Sequence, residues 1–318
     1  MKLIECVPNI SEGRDKNKIE QIVRAAQNCG VKILHVDTGH DANRTVITFA
    51  GTPEKVFSAA FALVQKSCEL IDMRQHAGTH PRLGAVDVCP FIPVKETTMR
   101  DCVDIAKKLA EKVADELYIP VYLYEEAASA PERKNLAFIR KGGYESLPQK
   151  LKELPPDFGP ANFSPSVQKS GALITGARNF LIAFNVTLNT EDVALAKQIA
   201  AILRSKLKAV KTLGWAAPRY NAAQVSFNLT DYKTTSLYDV YEACKSEAAK
   251  LGIEVKGSEI IGLVPEAALV RAGKKYLSGD GVTHSKEQKI NAAITALTPN
   301  LHSPFIPEKK IIERVLLR

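Results

Sequence analysis

Residues 76–94 read HAGTHPRLGAVDVCPFIPV. His76 and His80 stand four apart, the spacing at which two imidazoles on a helix share a metal ion. Gly78 and Pro81 break any helix here, so a metal site is not expected. Pro81 holds the residue before it extended, and Gly78 and Gly84 bracket His80, so the chain can turn tightly beside a ligand. A histidine on such a loop, just ahead of a strand, suits a general base working near neutrality. A surface histidine bonded to nearby backbone is the equally open alternative.

Other residues have chemistry to offer. Asp37 and Arg44 flank the turn TGHDAN, where the aspartate could orient a histidine and the arginine could clamp a carboxylate through two parallel bonds. Turn chemistry alone also accounts for the Asp, Gly and Asn content, and His40 reads as a turn residue. Arg82 and Arg178 are further carboxylate binders, with structural ion pairing as the competing reading. Asn9, Ser11 and Glu12 in VPNISEGRD read as caps for the helix that follows. Ser166 lies in no nucleophile elbow, and the chain has neither a P-loop nor a dinucleotide fingerprint, which disfavours a nucleotide enzyme.

The elements that would position these residues alternate. KLIECVPNI reads as a strand, KNKIEQIVRAAQNCG as a helix, and VKILHVD and NRTVITFAG as two strands. PEKVFSAAFALVQKSCELID begins a helix at proline; AVDVCPFIPV is a strand, TTMRDCVDIAKKLAEKVADEL an amphipathic helix and PVYLYEEAA a strand. Residues 142–171, rich in proline and glycine, read as a long loop holding at most one short helix. Loops of that length are uncommon unless functional. The order then recurs: strand FLIAFNVTL, helix TEDVALAKQIAAILRSK capped by Thr190, strands AVKTLGWAA and AAQVSFNLTD, helix SLYDVYEACKSEAAKLG and strand GSEIIGLVP. Strand, helix, strand, strand, helix, strand is the ferredoxin-like unit, so an α/β (α+β) fold of two such βαββαβ subdomains is expected, divided at residues 1–177 and 178–318.

Composition narrows the function classes. The net charge of +8 is concentrated in residues 179–318, which hold 19 Lys+Arg against 13 Asp+Glu. Acids alternate with the bases, without the basic-aromatic run that marks a nucleic-acid binder. Solvated helix faces explain this charge; a small anion drawn to a cleft is the alternative. No apolar run approaches the ~20 residues that span a bilayer, and the N-terminus turns polar too soon for a signal peptide. Six scattered cysteines without a CxxC pair suit a reducing compartment. The expectation is a cytoplasmic protein with no membrane and no nucleic-acid partner.

Seven segments carry more specific information: ECVPNISEGRD, DTGHDANRTVITFAG, HAGTHPRLGAVDVCPFIPV, PVYLYEEAA, PDFGP, TGARNFLIAFNV and SPFIPEKKIIERVL. In this order and over essentially the whole chain they resemble the glutamate formiminotransferase family, in its bacterial stand-alone form and as the transferase part of formiminotransferase-cyclodeaminase. The resemblance implies an N-terminal subdomain with a mid-chain folate loop at 157–171, a C-terminal subdomain, and a ligand tunnel between them. It implies transfer of the formimino group from N-formimino-L-glutamate to N5 of tetrahydrofolate, a co-substrate, without a metal, in a homodimer serving histidine degradation.

The family's catalytic histidine, in its H-x-G-x-H-P-R motif, falls on His80, with Asp37 to orient or stabilise it. Arg44, Arg82 and Arg178 become binders of substrate or folate carboxylates. The family's folate loop falls on Gly159, Pro160, Ala161, Asn162, Phe163, Ser164, Pro165 and Ser166, ending at Gly171. This chain departs from many relatives at residues 167–170 and at 204–214, where a Gly/Arg-rich insertion is missing. No deaminase segment follows Arg318, so release of formiminotetrahydrofolate is expected. Two other activities stay open: formyl transfer between 5-formyltetrahydrofolate and glutamate, and folate binding without turnover.

Overall fold

A computed structural model describes residues 2–40, 42–78, 81–279, 282–298 and 304–316. The chain divides into two compact units, Met1–Asn179 and Phe180–Arg318.

In the first unit, β1 (Leu3–Cys6) and β2 (Asn9–Ile10) are one strand interrupted at Val7-Pro8. Proline has no N–H to donate to a ladder, which explains the break. Helix α1 (Lys16–Gln27), strands β3 (Lys32–Gly39) and β4 (Arg44–Gly51), helix α2 (Pro53–Leu70) and strand β5 (Val86–Lys95) follow. Antiparallel pairing orders these strands β5, β1/β2, β4, β3, the arrangement of a ferredoxin-like βαββαβ unit.

Helix α3 (Met99–Leu117), strand β6 (Val121–Glu125) and strand β7 (Leu173–Ala177) extend the sheet. β7 lies parallel to both β5 and β6. The alternating pattern offers no sign of β7, because all five of its residues are buried; a strand covered on both faces reads as a plain apolar run.

Helices α1, α2 and α3 cover one face, with Ile4, Ile10, Phe49 and Phe91 at the centre of that core. Burying each such side chain contributes ~1.5–3 kcal/mol. On the other face β5, β6 and β7 are covered by a second cluster that includes Leu83, Tyr122, Ile139, Leu147 and Val167. It draws on α4 (Leu136–Arg140), α5 (Leu147–Glu153) and α6 (Pro165–Ser170). Residues 142–171 are therefore more helical than a loop reading allows: Pro148 and Pro165 occupy first-turn positions of α5 and α6, where proline is preorganised for a helix.

The second unit repeats the order in a four-stranded sheet. β8 (Ile182–Leu188), α7 (Val193–Lys206), β9 (Val210–Ala217), β10 (Ala222–Leu229), α8 (Leu237–Lys250) and β11 (Val255–Ile261) give the strand order β11, β8, β10, β9. Asp192, not Thr190, caps α7: its carboxylate accepts from Ala194 N at 2.7 Å, while Thr190 Oγ1 accepts from Asp192 N at 3.1 Å. Helices α9 (Glu266–Tyr276) and α10 (Lys286–Leu297) add Leu269, Ile290 and Leu297 to this unit's core.

The segment before β5 and the end of α6 are stitched together. Ala85 N donates to Ser170 O at 2.8 Å and Ala172 N to Leu83 O at 3.0 Å, with Gly84 opposite Gly171. A Cβ on Gly171 would stand 2.2 Å from Leu83 O, at a φ of +69°. Gly171→Ala adds left-handed strain and a backbone clash, so a loss of roughly 1–3 kcal/mol is expected, read as a lower urea midpoint.

Candidate active site

The site begins with Asn43, a buried residue at φ 48°, a conformation asparagine tolerates better than most side chains. Its Oδ1 accepts from Gly13 N at 3.0 Å and its Nδ2 donates to Ala77 O at 3.0 Å. Its own carbonyl accepts from His76 Nε2 at 2.9 Å. Three segments distant in sequence are thereby clasped. Glycines allow the approach: a Cβ on Gly13 would lie 2.4 Å from Gly39 O, and one on Gly78 2.3 Å from Ala42 O.

His76 is held on both nitrogens. Nε2–H donates to Asn43, so Nδ1 carries the lone pair that accepts from Arg82 Nε at 3.0 Å. Arg82 is also committed. It donates to His76 O at 3.2 Å and grips both Glu145 oxygens, at 2.9 and 2.6 Å, which holds the Glu145 carboxyl below its usual range. The fork of Arg82 is thus filled from within the protein.

A narrow cleft opens beside these groups, lined by Ser11, Asn43, Arg44, His76, Arg82 and Asp87 among others. Ser11 closes one wall by donating its hydroxyl to Gly84 O at 2.7 Å. Asp87 is buried; it accepts from Leu83 N at 3.1 Å and from Arg140 through both Nε, at 3.2 Å, and Nη2. Burial pushes its carboxyl upward, opposed by Arg140 and then Arg44. Arg44 feels the converse: burial and repulsion from Arg140 lower it to about 10, while Asp87 and Asp37 pull it back up. Two guanidiniums share one buried carboxylate, and Arg44 Nε is buried with no hydrogen-bond partner among the described residues. A cationic donor left unpaired in this way is suited to an anionic ligand.

The remaining sequence-derived residues are distributed as follows. His80 lies outside the described residues, between Gly78 and Pro81. Asp37 is exposed on β3, opposite Val46. Arg178 follows β7 and donates to Asn179 O at 3.0 Å; its charge opposes the burial that pushes the Tyr124 hydroxyl up to about 12. Gly159, Ala161, Asn162, Pro165 and Ser166 are exposed, Pro160, Phe163 and Ser164 half-buried, and Gly171 buried. The Phe163 ring lies tilted against Tyr144, centroids 6.2 Å apart, and Ser164 caps α6 by accepting from Val167 N. Val167, in the segment that departs from relatives, is buried in the core.

Asp15, rather than Asn9 or Ser11, caps α1, accepting from Lys18 N at 3.1 Å; Glu12 accepts from Arg14 N and Asp15 N just ahead of it. Asn43, Asp87, Arg140 and Glu145 were not among the candidates from sequence. Among the described residues no three His, Cys, Asp or Glu side chains gather to hold a metal, and no helix is long and apolar enough to cross a membrane.

Residues 3–178 match the family described as formiminotransferase domain, N-terminal subdomain, and residues 183–317 match the formiminotransferase domain. The chain belongs to the formiminotransferase family. It is 47% identical to the glutamate formimidoyltransferase of Thermoplasma acidophilum, over 88% of this chain and 94% of that one. It is 41% identical to the same-named protein of Streptococcus pyogenes, over 90% and 97%. The formimidoyltransferase-cyclodeaminase of Dictyostelium discoideum is 44% identical over 98% of this chain, which spans 60% of that relative's length.

Two outcomes follow from the charges and imidazole of the cleft. Asp87→Ala strands Arg140 and Arg44 without their shared counter-ion. A loss of roughly 3–5 kcal/mol is expected, measurable by urea unfolding. Burial lowers His76 below its ordinary 6.5, so below that pH the unfolded chain binds the extra proton first. The stability His76 contributes is present above pH 6.5 and is lost as pH falls through its lower folded value. Unfolding of the His76→Gln variant should show a flatter acid limb than wild type between pH 7.5 and 5.

Proposed function

We propose that this chain is a glutamate formimidoyltransferase, moving the formimino group of N-formimino-L-glutamate to N5 of tetrahydrofolate. The observation that carries the reading is its similarity to the stand-alone glutamate formimidoyltransferases of Thermoplasma and Streptococcus across nearly their full lengths. The cleft supports it, since Arg44 offers a buried donor and positive charge to a substrate that carries carboxylates.

In this reading N5 attacks the formimino carbon, His80 takes the N5 proton as the tetrahedral intermediate forms, and the imidazolium then protonates the departing glutamate nitrogen. Support for His80 comes from the HAGTHPR motif and from its neighbours: Gly78 is packed on Ala42 and Asn43, and Arg82 is bound to His76 and Glu145. Asp37 orients or stabilises that imidazolium. Arg44, Arg82 and Arg178 meet carboxylates of donor or folate, Arg82 only by giving up Glu145. Gly159 to Ser166, with Gly171, contact the folate. Tetrahydrofolate is co-substrate, no metal takes part, and the enzyme works as a cytoplasmic homodimer in histidine degradation.

The test is a spectroscopic assay with formiminoglutamate and tetrahydrofolate. Wild type should release glutamate, and His80→Ala should lower kcat by ~10²–10⁴-fold with folate affinity kept. Tight folate binding without glutamate release by wild type would replace this reading with a folate-binding protein. Full turnover by His80→Ala would remove the histidine from the mechanism.

A further inference from the structure

Among the described residues of the first unit, two buried polar atoms lack a hydrogen-bond partner, Asn9 Oδ1 and Arg44 Nε. Asn9 lies opposite Val46 in the β2–β4 pair. Ile10, the next residue, points into the core beneath α1 and α2, as do Ile47 and Phe49 of β4. By the two-residue period of a strand, Asn9 and Arg44 therefore share the opposite face. They stand one diagonal step apart across adjacent strands, a separation of ~7–8 Å. Asn9 also faces Val88 across β5, where the register slips between Asn9 and Ile10 and leaves Asp87 as the extra residue of a bulge. An orphan acceptor, an orphan cationic donor and the Asp87 carboxylate thus occupy one stretch of one sheet face.

The Asn9 amide cannot reverse freely. Its Nδ2 donates to Val7 O at 2.9 Å; turning the amide over would set Oδ1 against that carbonyl, oxygen to oxygen. The amide is pinned with its oxygen, and not its nitrogen, left as the unpaired atom. A buried acceptor left unpaired costs ~1–3 kcal/mol, a cost removed by a ligand that brings an N–H to it.

We propose that Asn9 is a specificity residue that reads an N–H of the donor's transferable group, and that Arg44 holds a carboxylate of the same molecule. This inference rests on the formimidoyltransferase reading and deepens it by stating why one donor is preferred. A formimino group ends in nitrogen and presents N–H to Asn9 Oδ1. A formyl group ends in oxygen at the same place and brings a lone pair against a lone pair. Sites that match a substrate's hydrogen-bonding group discriminate far better than sites that match its size. Arg44 contacts what the two donors have in common, so it contributes affinity and no discrimination.

The experiment compares kcat/KM for N-formimino-L-glutamate and N-formyl-L-glutamate, with tetrahydrofolate, in wild type, Asn9→Ala, Asn9→Ser and Arg44→Lys. Wild type should favour the formimino donor. Asn9→Ala should lower kcat/KM for that donor by roughly 5–150-fold, the cost of one lost buried bond, and leave the formyl value unchanged or raised. Asn9→Ser keeps a hydroxyl that can donate to Val7 O or to a formyl oxygen, and should also narrow the ratio if Asn9→Ala fails to fold. Arg44→Lys should raise KM for both donors by a similar factor. An unchanged donor ratio in folded Asn9 variants overturns the proposal while the formimidoyltransferase reading stands. A wild type that turns over neither donor overturns both.

Discussion

Much of the candidate site depends on what one asparagine can do in a left-handed backbone conformation. With φ at 48°, Asn43 turns its amide oxygen toward Gly13, and its amide nitrogen and carbonyl toward the adjacent residues Ala77 and His76. Such bonds are modest in water, but a buried group left unpaired is costly, so the set holds together or fails together. The glycines at 13 and 78 are the complement of this clasp, because a methyl group at either would meet backbone at under 2.5 Å. Downstream of it, the His76 tautomer, the direction of Arg82 and the Arg82–Glu145 pair follow in sequence.

Charge is arranged on the same scale. The buried carboxylate of Asp87 sits at a bulge, where the extra residue of one strand is freed from the ladder. It draws Arg140 from α4 to the sheet face and lies close enough to Arg44 to temper the cost of burying it. The guanidinium left over is the kind of group that a folded protein keeps when a ligand supplies the balance.

Much of this architecture is legible in the chain. Two rounds of strand, helix, strand, strand, helix, strand emerge from hydrophobic period alone, and both sheets have the ferredoxin-like strand order. β7 escapes because LITGA has no polar face, being covered on both sides. α5 and α6 escape because Pro148 and Pro165, in a proline-rich stretch, look like breakers while serving as starters. Of the site, Arg44 and Arg82 are visible as cations near turns, though the partner that fills Arg82 comes from 63 residues away. Asn43 reads as ordinary turn composition. Nothing local says that its amide reaches residues 13 and 77, since that depends on which strands become neighbours.

Residues 159–171 are held at both ends. Gly159, at φ 83°, packs on the Ile119 carbonyl, where a Cβ would stand at 2.5 Å, and Phe158 just before it accepts from Val121 N at 2.9 Å. At the other end Ser164 starts a helix whose Val167 is buried and whose last carbonyl is taken by Ala85. Between these anchors runs a short, largely exposed stretch. Closing a somewhat longer span between fixed points adds little entropy, ~0.6 kcal/mol per doubling. Relatives can therefore lengthen or shorten the chain there, and retune what it touches, without disturbing the sheet on either side.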